Sequence, residues 1–225
     1  MTPHQFVHTL QMTDSLFPVG AFAYSDGLET AAANGRVHDA ASLANWMDCV
    51  CDAVFVPCDG LALLKCFYAS EALDWAAIRS IDEELSAIKP AAAARASSRS
   101  VGRRMLTTYV ALFNDRAVAG AMGILPHCNT PVAYGVALSR IGLEAREALL
   151  AFGYLRMSSL VSAGLRLVSV GQRQGQAVLT RALDHLPTAV DKILRMKEQP
   201  LRCFAPIAEI QQMNQQYIYS RLFRS

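Results

Sequence analysis

The stretch LEAREALLAFGYLRMSSLVSAGLRLVSV, residues 143–170, decides the fold class. Leu150, Tyr154, Met157, Val161, Gly164 and Val168 recur every three or four residues, which draws one apolar stripe along a helix. Arg156, Ser159, Ala163 and Arg166 fall on a different face, where small residues admit a close neighbour and arginines offer forked donors. Both faces are expected to be engaged, which places this helix at the centre of the molecule. It is long enough to span a bilayer, but Arg156 and Arg166 would each cost ~2.5–3.5 kcal/mol there. It is read as a buried helix, not a membrane anchor.

Outward from this helix the same texture continues in both directions. Runs rich in Ala, Leu, Met, Arg and Glu alternate with short breaks at Pro, Gly and Asn, and strand signals are nearly absent. The expected helices are Pro3–Met12, Asp26–Asn34, Asp39–Val54, Cys58–Ala69, Leu73–Ala87, Ala91–Phe113, Asp115–Ile124, Thr130–Ser139, Leu143–Val170, Gly175–Lys197 and Ala205–Tyr219. There is no internal repeat, and AAAARASSRS from Ala91 is a helix former, not a linker. The reading is an all-α, single-domain helical bundle of roughly ten helices over residues 1–225.

With 225 residues the chain can bury roughly 70% of its unfolded surface, so a self-supporting core is feasible. Its net charge of +2 is too balanced for general binding to nucleic acid or to an acidic membrane. A charged fraction of 18% is low beside the usual ~25%, so part of the apolar surface is expected to meet a partner. The start, MTPHQFVHTL, lacks the pattern of a signal peptide, and a cytoplasmic protein is expected. Cys49, Cys51, Cys58, Cys66, Cys128 and Cys203 are irregularly spaced and are read as reduced core residues, with no metal site expected.

Enzymatic signatures fail one by one. Ala23-Tyr24-Ser25-Asp26-Gly27 has Ala where a nucleophile elbow needs Gly, and no strand precedes it. His4, His8, His38, His127 and His185 are scattered, with neither a triad order nor a paired-histidine zinc helix. Gly171-Gln172-Arg173-Gln174-Gly175-Gln176 lacks the Gly-Lys-Ser/Thr of a P-loop. Its glycines read either as a helix C-cap, polar connection and new helix start, or as a partner contact. No catalytic residue and no cofactor are assigned, and a helical hydrolase using Ser25 is kept as a rival reading.

Three patches point to docking. In the loop of residues 13–29, Phe17, Phe22 and Tyr24 stand on a Gly/Ala-rich stretch that would expose them as anchors. Asp26 and Glu29 there suit a reciprocal capping box for the next helix. Arg95, Arg99 and Arg103 recur every four residues, with Arg104 beside them and Gly102 thinning the helix, a stripe that reads either as a solvated face or, lacking alternating acids, as a surface for a carboxylate-rich partner. The end, IQQMNQQYIYSRLFRS, is aromatic enough that it must pack on its own domain or order against a partner.

Together these stretches resemble the urease accessory protein UreF family. The resemblance lies in LFPVGAFAYSDGLE from Leu16, SRSVGRR from Ser98, HCNTPVAYG from His127, Arg166-Leu167 followed by GQRQGQ from Gly171, and YSRLFRS from Tyr219. It implies an all-helical, homodimeric, non-catalytic chaperone. Such a protein binds the accessory protein UreD (also called UreH), recruits the GTPase UreG, and helps deliver nickel to apo-urease while shaping a passage for the metal. Direct regulation of the UreG GTPase is the alternative within the same resemblance.

Carried over by position, the resemblance implies partner-binding roles for Phe22, Tyr24, Glu29, Arg99, Arg103, Arg104, Arg166, Gln172, Tyr219, Arg221 and Phe223. Residues 13–29 and 214–225 become the partner-binding segments. His127 opens one of the motifs and is placed near a metal path or as a capped structural residue. One departure is the Gln215-Gln216 pair, where the family commonly has His-Glu. A metal ligand or titrating group in the tail is then not expected, whereas a packing role survives because amides still hydrogen-bond.

Overall fold

The computed structural model describes residues 1–224, the side chain of Phe22 excepted. Helices α1 (Pro3–Thr13), α2 (Leu28–Ala33), α3 (Ala40–Val50), α4 (Leu61–Glu71), α5 (Trp75–Ile88) and α6 (Ala92–Phe113) form the first half. Helices α7 (Arg116–Ala121), α8 (Thr130–Arg140), α9 (Ala145–Leu167), α10 (Gln172–Arg195) and α11 (Pro206–Asn214) form the second. Among the described residues there is no strand, so the fold is all-α as the hydrophobic periodicity predicts.

Local chemistry accounts for most helix starts. Thr2 and Gln5 make a reciprocal capping box ahead of α1, with Pro3 in the first turn, where its missing N–H has no partner to lose. Asp39 and Ser42 do the same for α3, and the Asp115 carboxylate accepts from the Ala117 and Val118 N–H groups at the start of α7. A break near Pro57 is not found. Helix α3 runs through a π-helical segment, Cys51–Gly60, directly into α4. Proline has no N–H to offer and crowds the carbonyl one α-turn back, and the wider i→i+5 register lets the chain continue past it.

The most enclosed helix is α8, whose residues 131–139 are all buried. It packs against α4 and α6, while α9 packs against α10, α2, α1 and α8. The stripe on α9 is only part of its buried surface. Met157, Val161 and Gly164 are buried as expected, but Tyr154 is 44% exposed, and Leu149, Phe152 and Leu160 are buried beyond the stripe. Helix α9 is long and apolar enough to cross a membrane, yet more than half of its most apolar 18-residue window is buried against its neighbours. The helices approach closely where glycine allows: a Cβ on Gly102 of α6 would lie 2.0 Å from the Cys128 carbonyl oxygen. Gly102 therefore seats the loop before α8 and does not thin an arginine stripe.

All six cysteines are free. Cys51, Cys58, Cys66 and Cys128 are core residues as expected, but Cys49 is exposed and Cys203 is half-buried.

Candidate partner-docking surface

Pro18 and Gly20 end the helical pattern after α1, and Gly20 takes a left-handed φ of 69° to turn the chain. The loop then folds inward more than its composition predicts. Phe17 and Val19 are buried, Tyr24 is half-buried against the core, and Leu16 is the exposed apolar residue. The expected side-chain anchor Phe22 lies outside the described residues. Asp26 and Gly27 both adopt left-handed backbone, with Gly27 capping α2, so the expected Asp26–Glu29 capping box does not form. The two carboxylates are freed for other contacts.

Glu29 is buried at 5% exposure and serves as the seat for the carboxy-terminal arm. Its carboxylate accepts from the Leu222 N–H at 2.5 Å, the Phe223 N–H at 3.3 Å and the Gln215 side-chain amide. Gln215 also accepts from the Thr30 hydroxyl at 3.0 Å, and Asn34 donates to Gln211 at 3.0 Å. The Arg224 N–H reaches the Ala23 carbonyl at 2.8 Å. Phe223, expected on the partner surface, is buried in the core with the Arg166 guanidinium 4.3 Å above its ring. Tyr219 and Arg221 remain exposed, Tyr219 completely. The arm thus packs on its own domain, and Gln215 keeps a hydrogen-bonding role, as its amide chemistry predicts.

Asp26 belongs to a partly buried charge network centred on buried Asp59. It pairs with Arg156 at 2.7 Å, and Asp59 of the π-helical segment pairs with Lys89 at 2.7 Å and lies 3.8 Å from Arg156. Burial alone would raise the Asp59 pKa, but Lys89 and Arg156 outweigh it and hold the carboxyl below its ordinary value. Burial likewise opposes the charge on Lys89, yet Asp59 holds its pKa above the ordinary value. These groups line a cavity of about 80 Å³ together with Tyr24, Glu209 and Gln212, between the loop, α9 and the arm.

The remaining motifs settle into distinct places. Asp82, wholly buried on α5, accepts from the backbone N–H groups of His127, Cys128 and Asn129 at 2.7–2.9 Å, and from the Asn129 side chain. Cys128 takes a left-handed φ of 56° to turn those donors inward. The stretch from His127 is therefore a backbone nest closed by an internal carboxylate. Its sequence signal is an acidic residue inside the apolar stripe of Ile78 and Leu85. Arg103 is exposed, Arg104 reaches the Val19 carbonyl at 3.4 Å, and Arg99 is half-buried with its Nε enclosed. Arg95 turns away to the Lys89 and Pro90 carbonyls. Gly171 opens α10 and closes no helix, so exposed Gln172 stands in its first turn. Ser25 is buried at 1%, its hydroxyl oxygen 3.4 Å from the Glu29 N–H, and is not presented as a nucleophile. No group of three or more metal-ligating side chains is assembled among the described residues.

The UreF family model matches residues 37–183. The chain belongs to the UreF family. Among its relatives, the urease accessory protein UreF of Rhodopseudomonas palustris is 33% identical over 93% of this chain and 89% of its own length. That of Nostoc sp. is 28% identical over the whole of this chain and 98% of its own, and that of Arthrobacter sp. is 31% identical over 96% and 95%. The match to whole relatives includes the amino-terminal loop and the arm, which lie outside residues 37–183.

What this UreF-family chain offers outward is an apolar ridge along the arm. Ile207, Ile210 and Met213 stand on the outer side of α11, whose inner side buries Ala208 and Gln211 against α2. Phe204 before the helix and Tyr217 after it extend the ridge at 80% and 78% exposure. Leu222 and Tyr219 complete it at the chain end. Sequence reasoning assigned partner contact to Tyr219 but missed Phe204, Ile207 and Ile210. Their helical spacing was a legible signal, although spacing alone does not say which stripe of a short helix faces the core.

Proposed function

We propose that this chain is a non-catalytic adaptor in the assembly of the urease nickel centre. It binds a UreD/UreH-type accessory protein through the arm and recruits the UreG GTPase to apo-urease, in the cytoplasm and as a homodimer. Nickel is cargo in this reading, and no resident metal is assigned. One observation carries it: apolar side chains from Phe204 to Leu222 are exposed on an arm whose other contacts include hydrogen bonds from Gln215, Leu222 and Phe223 to buried Glu29. Preordering an exposed apolar surface lowers the entropy lost on docking. Such a ridge is costly to leave in water. Family membership supports partnership with other urease maturation factors, and the exposed apolar residues of the arm support it as the place where they meet.

The test is co-purification with UreD- and UreG-type proteins, sized by light scattering, comparing the full chain with one truncated after Gln216. The full chain is expected to form a stable complex and the truncated chain to lose it. Absence of a complex with folded full-length chain would overturn the adaptor reading.

A further inference from the structure

The arm meets the π-helical segment at a second point, which the docking reading does not use. The Arg202 N–H donates to the Pro57 carbonyl at 3.0 Å, which lays the chain at 202–203 alongside that at 57–58. The next residues along each segment of this pairing are Cys203 and Cys58, whose side chains lie near enough to interact, while the Cys58 thiol donates to the Asp59 carboxylate at 3.8 Å. Cys203 is half-buried and lines the charged cavity, whereas Cys58 is fully enclosed. The Cys203 thiol also donates to the Glu209 carboxylate at 3.3 Å. No other cysteine is placed this way. Cys49, Cys51, Cys66 and Cys128 owe their raised thiol pKa values to burial and to neighbouring carboxylates, not to a second thiol.

We propose that Cys58 and Cys203 form a dithiol modification site that a peroxide converts to an intramolecular disulfide, tying the arm covalently to the core. The geometry gives each thiol a separate part. Cys203, on the cavity wall, passes its proton to Glu209 and attacks one peroxide oxygen. The O–O bond breaks, the leaving hydroxide takes the proton as water, and Cys203 becomes a sulfenic acid. The Cys58 sulfur then attacks the Cys203 sulfur, the S–O bond breaks, and the hydroxyl leaves with the Cys58 proton as a second water. Two thiols are oxidised by two electrons, and one peroxide is reduced. Because the paired backbone already lays Cys203 beside Cys58, the bond asks for side-chain rotation at this contact. The site is independent of the adaptor reading.

The experiment treats the folded full-length chain with hydrogen peroxide, blocks remaining thiols with N-ethylmaleimide, and digests it without reduction. Mass spectrometry is expected to find Cys58 linked to Cys203. Fragmentation must assign the bond, because no Lys or Arg separates Cys49, Cys51 and Cys58 and trypsin leaves them on one peptide. Cys203→Ser is expected to abolish the link, and Cys49→Ser to preserve it. Cys203 is half-buried, so its variant tests the pair without emptying the core. A bond from Cys203 to Cys49 or Cys51, a dimer joined between chains, or Cys203 found only as sulfinic acid would overturn the proposal.

Discussion

Replacing Glu29 with Ala tests whether one carboxylate holds the arm. The substitution removes the acceptor for three donors: the Leu222 and Phe223 N–H groups and the Gln215 amide. Leu222 is exposed, so water can take its N–H. Phe223 and Gln215 are buried at 3% and 1%, and their donors would be orphaned. Each buried unsatisfied group costs ~1–3 kcal/mol, so with two of them the seated arm should lose roughly 2–6 kcal/mol relative to the released one. The arm is terminal and can detach without unfolding the bundle, so the loss should appear as local opening. Hydrogen exchange followed by mass spectrometry should show the 215–224 segment exchanging at least ~30-fold faster, with α8 unchanged. Glu29→Gln is an intermediate control: its amide oxygen can keep the Phe223 N–H and Gln215 amide donors, but its NH₂ then faces the Leu222 N–H. Unchanged exchange across 215–224 in Glu29→Ala would refute the idea that Glu29 is the seat.

Three further outcomes are expected. Asp59→Ala leaves Lys89 buried without its carboxylate and should cost ~3–5 kcal/mol in chemical denaturation; a cost under ~1 kcal/mol would show that the network relaxes around the loss. The lowered Asp59 pKa contributes stability that is full above the unfolded value of ~3.9 and is lost as pH falls through the folded value, while the raised Lys89 pKa contributes stability lost as pH rises through its own. Denaturation midpoints of Asp59→Asn should therefore show a shallower acid limb than the parent. Gly102→Ala drives a Cβ against the Cys128 carbonyl and should destabilise by ~1–3 kcal/mol, read as a lower melting temperature, whereas a neutral result would mean the loop before α8 shifts freely.

What was legible in the sequence was the part governed by local rules. Helical periodicity, Pro3 and the caps at Thr2, Asp39 and Asp115 place most elements to within a few residues. The failures share one physical cause, which is that a polar residue's partner lies far along the chain. Asp26 and Glu29 have capping-box spacing, and a local rule assigns them to each other, but tertiary contacts outbid it with Arg156 130 residues away by number and the arm still further on. Asp82 is bound to a loop more than forty residues away. Pro57 breaks helices by rule, but the buried contacts of α3, α4 and α10 on both sides hold the chain in register through a π-helical segment.

The same cause explains why the two segments expected to meet a partner are found in contact with each other. A loop with Tyr24, Asp26 and Glu29, and a tail with two aromatics and two arginines, carry the residue types of two halves of an interface. They are two halves of an interface, but with each other: Glu29 and the Ala23 carbonyl take the tail's backbone, and Phe223 fills the core. Complementarity between distant segments cannot tell an internal contact from an external one when only composition is known. Once the inner contacts are assigned, the outer surface follows by subtraction, because a helix that gives Ala208 and Gln211 to α2 must turn Ile207 and Ile210 the other way. This makes a discriminating pair of variants. Ile207→Asp with Ile210→Asp should leave the melting temperature within about 2 °C of the parent, since surface changes are usually within ±0.5 kcal/mol, yet abolish co-purification with a UreD-type protein. Glu29→Ala should weaken the same complex only by releasing the arm, so a tethered arm would rescue it and would not rescue the double aspartate variant. Complex formation by the double aspartate variant at parental strength would move the docking surface off α11 altogether.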